Sequence, residues 1–210
     1  HLRRQVGHIR SLRARNPDAN VADLRAQIAA NLAGVEDLQA MIARYGWPGV
    51  SAYAGHVMDN AERSVREMIA RLQDGEMSLV MDDGETLRAA VSIDRTARSA
   101  RIDFTGTGPQ RRGNFNAPPA VTRSAVLYVF RCLLSEPLPL NEGCLRPLTI
   151  DIPKGSFLAP EPGAAVVAGN TEVSQALCNV LLGALRASAA SQGTMNNLLL
   201  GNARFQYYET

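Results

Sequence analysis

The segment AASQGTMNN, Ala189 to Asn197, crowds Ser191, Gln192, Thr194, Asn196 and Asn197 around Gly193, and none of these side chains is charged. Three other segments have a similar make-up. They are FTGTGPQRRGNFN, with Asn114 and Asn116; PLNEGC, with Glu142; and AGNTEVSQ, with Asn170, Glu172 and Gln175. Each contains glycine, which lets backbone N–H groups come close to a ligand, beside small amide or hydroxyl groups that donate and accept. The chemistry this suits is recognition of a small polar ligand. The same side chains also lock loops, because Asn and Asp bond readily to nearby backbone. Both readings stay open for each of these residues.

Other reactive patterns are weaker. Asn170 stands where a strand pattern becomes a helix pattern, with Glu172 in the first turn, so it caps the helix or helps an exposed helix start to hold an anion. Thr105 to Gly108 reads TGTG after a strand, but it lacks the third glycine and the following helix of a dinucleotide-binding turn. No phosphate-binding loop sequence occurs, and Ser191 is not in a nucleophile-elbow motif. His56 and Asp59 are spaced for one helix face, yet two ligands are too few for a metal, so a solvated or interface role is the plainer reading. Arg3, Arg4, Arg10, Arg13 and Arg15 could meet phosphates or the acids of a partner.

The elements that must position these loops follow from periodicity. After Asn16-Pro17-Asp18, Val21, Leu24, Ile28, Leu32, Val35, Leu38 and Ile42 form an apolar stripe. YGWPG makes a turn. A second stripe runs through Tyr53, Val57, Ala61, Val65, Met68, Ile69 and Leu72, so an antiparallel helical hairpin is predicted. From Met77 to Phe104 the period becomes two, with turns at Asp82-Asp83-Gly84 and near Thr96, which predicts an antiparallel meander. AVTRSAVLYVFRCLL reads as a buried helix, LTIDIP as a strand, AAVVAGN as a short apolar strand and Val173 to Ser188 as a long helix. The fold class is α+β, with a helical arm and hairpin over 1–74 and an α+β part bearing the polar loops over 75–210.

The chain has 210 residues, 46% of them hydrophobic, and a net charge of +2, so a globular core is within reach and no global field selects nucleic acid or an anionic membrane. Its three cysteines are far apart in sequence and read as free thiols of a cytoplasmic protein. No apolar run reaches the about 18 residues of a spanning helix. Because the chain starts at His1 and stops at Thr210 directly after RFQYYE, it reads as a fragment of a longer protein.

GNTEVSQALCNVLLGAL…AASQGTMNN, with IDFTGTGPQRRGNFNAP, PLNEGCLRPLTIDIPKGSFLAP and QYYET, closely resembles the hydantoinase B / 5-oxoprolinase family. That family takes in the B subunits of N-methylhydantoinases, the C-terminal half of 5-oxoprolinases and the α subunit of acetone carboxylase. The resemblance implies an ATP-dependent cyclic amidohydrolase, a hydrolase of cyclic amide C–N bonds. A hydantoinase A-type partner, holding ATP and Mg, activates the ring carbonyl by phosphorylation, and water then opens the ring. It further implies a hetero- or homo-oligomer, with a hydantoin or 5-oxoproline as substrate and no nucleic acid or membrane. Asp103, Glu142 and Glu172 become candidate general bases. Asn114, Asn116, Asn170, Gln175, Ser191, Gln192, Thr194, Asn196 and Asn197 become candidate ligands of the ring amides or the oxyanion. The family's N-terminal part, with its possible metal ligands, is absent, so the isolated chain is expected to be inactive. An acetone-carboxylase-type α subunit and a non-catalytic interaction module are the alternatives.

Overall fold

The computed structural model describes residues 16–188 and 198–209, which fall into two compact units, 1–56 and 57–210. In the first unit the chain is helical from Pro17. The long helix α1 (Pro17–Ile69) is interrupted at Gly46, whose φ of 74° and ψ of 148° lie outside the helical region, with Pro48 just beyond it. Glycine reaches such a φ without the clash a Cβ would bring, so the predicted YGWPG break is realised as one kinked residue rather than a loop. The apolar stripe of the first leg is not sealed: Leu32, Val35 and Leu38 are 59%, 50% and 45% exposed.

The second unit holds the core. The C-terminal turns of α1 bury Ala61, Val65, Met68 and Ile69. A four-stranded sheet follows in the order β1 (Gly75–Val80), β2 (Thr86–Asp94), β3 (Ser99–Asp103), β4 (Leu148–Asp151). The first three strands form the predicted antiparallel meander, with Leu79 opposite Leu87 and Val91 opposite Ile102. Leu87, Ala89 and Val91 are buried while their neighbours are not, the period-two pattern of a sheet with one face on a core. β4 joins parallel to β3, with Ile102 opposite Ile150. A parallel neighbour needs a long crossover, and it contains α2 (Pro119–Cys132).

The helix α3 (Glu172–Ala184) packs against β1, β2 and α2. Its contact with β1 is intimate: a Cβ on Gly75 would run into the Ala184 carbonyl, and one on Gly183 into the Met77 sulfur. A separate antiparallel pair, β5 (Leu198–Gly201) and β6 (Gln206–Glu209), turns at Asn202, whose side chain accepts from the N–H groups of Arg204 and Phe205. No helix among the described residues is long and apolar enough to cross a membrane.

AAVVAGN does not form the predicted strand. Val167 to Gly169 make a short 3-10 turn, and Val167 is 71% exposed. Its backbone is instead claimed by the loop after β3: the Ala168 N–H donates to the Asn114 carbonyl at 3.0 Å. Asp59 and Glu62 are likewise engaged in ion pairs, with Arg146 at 2.7 and 3.2 Å and, for Glu62, also with Arg66 at 2.7 Å. They brace α1 against the 142–146 turn, where Gly143 passes so close that a Cβ would strike the Met58 carbonyl.

Candidate functional site

The loop after β3 is built around Asn116, which is fully buried. Its Oδ1 accepts from the Arg111 N–H at 2.8 Å, and its Nδ2 donates to the carbonyls of Arg111, Gly113 and Ala165 at 3.1, 3.0 and 2.9 Å. That engages both N–H donors of the amide and its carbonyl oxygen, in the interior. Asn116 therefore holds the loop and offers nothing to a ligand, which corrects its expected place in a substrate lining. Asn114 contributes its backbone carbonyl to the neighbouring turn. Backbone meets backbone here, since a Cβ on Gly169 would come within 2.7 Å of the Asn116 carbonyl. These contacts fix the start of α3 beside the loop that carries Arg111.

α3 begins at Glu172 with Thr171 as its N-cap, and no side chain caps it. Asn170 is thus not the side-chain cap; its carbonyl accepts from the Ser174 hydroxyl at 2.9 Å. Glu172 sits in the first turn, where the helix dipole favours a negative charge. Glu172, Gln175, Ala176 and Asn179 follow the i, i+3, i+4, i+7 spacing of one helix face, and this face forms one wall of a cavity of about 400 Å³. The opposite walls come from Leu79 to Asp83 at the end of β1, and from Arg111 and Phe115.

On the other side of the same helix lies a second cavity of about 910 Å³, between α2 and α3. Asn170, Ser174, Gln175, Cys178 and Asn179 face Ser124 and Tyr128 across it. Gln175 and Asn179 border both cavities. Volumes of this order hold small organic ligands, and the polar groups here are mostly neutral donors and acceptors. The Cys178 thiol is pushed up by burial, and Tyr128 is pushed up by its hydrogen bond with Cys132 and then by the two thiols nearby. None of the described residues lining this second cavity carries a formal charge.

Of the expected site residues, the fold gathers Asn170, Glu172 and Gln175. Asp103 lines neither cavity: its Oδ1 accepts from the Thr105 N–H at 2.8 Å in a tight turn. The hydrogen bonds with the Thr105 hydroxyl and N–H pull its carboxyl below the usual range, which weakens it as a base. Glu142 is exposed on the 3-10 turn Glu142–Leu145 and also lines neither cavity. Ser191, Gln192, Thr194, Asn196 and Asn197 lie outside the described residues.

Sequence reasoning passed over Asn179 and Arg111. Asn179 was available from helical spacing, one turn beyond Gln175. Arg111 was not, because its role depends on a distant partner. Its side chain is 6% exposed; Nη1 pairs with Asp83 at 3.0 Å, and the guanidinium lies 4.0 Å over the Phe157 ring.

The family described as hydantoinase B/oxoprolinase matches residues 1–210. The chain belongs to this family. It is 45% identical to 5-oxoprolinase 1 of Arabidopsis thaliana over 207 residues, 91% of this chain and 16% of that protein. Identity to the 5-oxoprolinase of Saccharomyces cerevisiae is 39% over 211 residues, again 91% of this chain and 16% of the relative. The chain thus spans about a sixth of the length of these relatives. Among solved structures, the ATP-dependent caprolactamase from Pseudomonas jessenii superposes with a TM-score of 0.67 at 26% identity, over 82% of this chain and 31% of that one. Acetone carboxylase superposes with a TM-score of 0.57 at 16% identity, over 72% of this chain and 22% of that one, a likeness of fold. The hydantoinase B/5-oxoprolinase resemblance carried by the loop motifs is thereby borne out, and so is the α+β class.

Proposed function

We propose that this chain is part of the hydrolytic B portion of an ATP-dependent cyclic amidohydrolase that opens a hydantoin or 5-oxoproline ring. The observation that carries the reading is the face of α3, where Glu172, Gln175 and Asn179 share one wall of a small cavity in a hydantoinase B/oxoprolinase chain. Glu172 takes a proton from water as the water oxygen adds to the ring carbonyl carbon. The A-type partner having phosphorylated the carbonyl oxygen from ATP, the ring C–N bond then breaks, the nitrogen receives a proton and the carbon is left as an acyl phosphate, which a second water hydrolyses to a carboxylate and inorganic phosphate. Gln175 and Asn179 hold the amide edge of the ring and the developing oxyanion, work that preorganised neutral donors do in a dry site.

ATP with its Mg²⁺ is assigned to the A-type partner or fused domain. This sequence has no phosphate-binding loop, and no three His, Cys, Asp or Glu side chains cluster to hold an ion among the described residues. The reading places the protein in the cytoplasm, in a complex with that partner. The test is the full-length protein with its A-type partner: ATP consumption is expected to track ring opening, and Glu172→Gln to lower ring opening by about 10²- to 10⁴-fold. Undiminished turnover in that variant removes Glu172 from the reaction.

A further inference from the structure

The helices α2 and α3 pack directly on one another, and each brings a free thiol to their shared side. On α2, Ser124, Tyr128 and Cys132 recur at every fourth residue, which sets them in one row along the helix. Ser124 and Tyr128 line the cavity of about 910 Å³, and Cys132 ends the row as the last residue of α2. Across the cavity, Cys178 lies midway along α3. The third cysteine, Cys144, is buried in the 3-10 turn Glu142–Leu145.

Tyr128 ties the pair together. Its hydroxyl shares a hydrogen bond with Cys132, and it lies near enough to both thiols to feel the charge of each. Cys178 is raised first by burial and then by the neighbouring Cys132. Cys132 is exposed, whereas Cys178 is half-buried. One thiol open to solvent beside a second that is sheltered is the arrangement of an oxidisable cysteine and its resolving partner. In a reducing compartment such pairs are transient and regulatory rather than structural.

We propose that Cys132 and Cys178 form a redox pair, joined as a disulfide by a hydroperoxide and returned to thiols by a dithiol reductant. With hydrogen peroxide, the Cys132 thiolate attacks one peroxide oxygen and the O–O bond breaks. The other oxygen leaves as hydroxide, takes up the proton that the thiol gave away, and Cys132 becomes a sulfenic acid. The Cys178 sulfur then attacks the Cys132 sulfur, the S–O bond breaks, and the hydroxide departs as water with the Cys178 proton. Two thiols are oxidised by two electrons in all, and one peroxide is reduced to two waters. The bond fastens the end of α2 to the middle of α3. Cys178 adjoins Asn179 and stands one turn beyond Gln175, so the lock restrains the helix face assigned to the ring. This consequence for turnover rests on the proposed function; the bond itself does not.

The test treats the full-length protein, with its A-type partner, with hydrogen peroxide and then with dithiothreitol. Peptide mass spectrometry is expected to find Cys132 joined to Cys178, with Cys144 still free to be alkylated. Cys178→Ser removes the resolving thiol, so Cys132 is expected to remain as a sulfenic acid that dimedone labels. Ring opening by the wild type is expected to fall about 10-fold on oxidation and to return with dithiothreitol. Cys132→Ser, altered at a residue that lines neither cavity, is expected to keep its activity through the same treatment. Absence of the Cys132–Cys178 peptide, or a cross-link through Cys144 in its place, overturns the proposal. So does a cross-link that leaves ring opening unchanged, or an equal loss of activity in Cys132→Ser. A protein that opens no ring before oxidation counts against the proposed function alone, and the cross-link, read by mass, then decides the redox pair by itself.

Discussion

The Asn116 side chain donates to the Ala165 carbonyl at 2.9 Å, joining the loop after β3 to the turn before α3 across 49 residues of sequence. The same amide accepts from the Arg111 N–H. One buried side chain therefore sets both the entry to the helix that bears Glu172 and the backbone of the arginine across the cavity. Asn116→Ala strands an N–H and several carbonyls in the interior. Unfolding in urea is expected to show a loss of about 2 to 4 kcal/mol. A loss below about 0.5 kcal/mol, the range of ordinary surface changes, would mean that the lock is dispensable.

Gly75 and Gly183 make a controlled pair, because each abuts its neighbour on the α3–β1 contact. At Gly75 the obstacle is the Ala184 backbone carbonyl, fixed by the helix. At Gly183 it is the Met77 sulfur, near the end of a flexible side chain. Gly75→Ala is expected to cost about 1 to 3 kcal/mol through overpacking. Gly183→Ala is expected to cost less, because Met77 can change rotamer and alanine favours a helix interior over glycine by about 1 kcal/mol. Thermal melts of the two variants check the order, and the reverse order would place the rigid contact at Gly183.

Glu62 is held below the usual carboxylate range, first by hydrogen bonds from Arg66 and Arg146 and then by their charges. A carboxylate lowered on folding stabilises the protein above its unfolded value, about 4.3 for Glu, and loses that contribution as pH falls through its folded value. Asp103, lowered by Thr105, acts in the same direction. Stability is thus expected to decline on acidification below about pH 4.3. Glu62→Gln is expected to flatten part of that decline, measured as the urea midpoint from pH 7 to pH 3. An acid limb as steep in the variant as in the wild type would show that Glu62 carries no such linkage.

What could be read from the sequence and what could not divide on physical lines. Alternation of Leu87, Ala89 and Val91 with less buried neighbours is a local signal, so the meander was legible. The helix α3 was legible for the same reason, whereas Glu172 and Gln175 were singled out through the polar segment AGNTEVSQ and the family resemblance. AAVVAGN looked like a strand because its residues favour one, but partners remote in sequence, Asn114 and Asn116, took its backbone. The parallel seat of β4 beside β3 and the pairing of Arg111 with Asp83 are likewise long-range, and no period announces them. Asn116 shows the ambiguity most clearly: a neutral amide in a glycine-bearing loop looks the same in sequence whether it grips a ligand or its own backbone.

The three carboxylates singled out in the sequence now carry separate expectations. Glu142 is exposed on its 3-10 turn away from both cavities, so Glu142→Gln is expected to keep ring opening within about twofold, with stability within about 0.5 kcal/mol. Asp103→Asn keeps an oxygen for the Thr105 N–H but gives up its charge, so a loss of about 0.5 to 1.5 kcal/mol is expected, with turnover retained at temperatures where the protein is folded. Of these three, Glu172 alone borders the α3 cavity, and its variant is expected to lose turnover well beyond any loss of stability, which the charge it gives up at the helix N-terminus sets at about 0.3 to 1 kcal/mol. Parallel measurement of ring opening and unfolding in the three variants separates the cases. If Asp103→Asn stops turnover in a fully folded protein, the reacting carboxylate lies at the end of β3 and the α3 cavity is not where the ring opens.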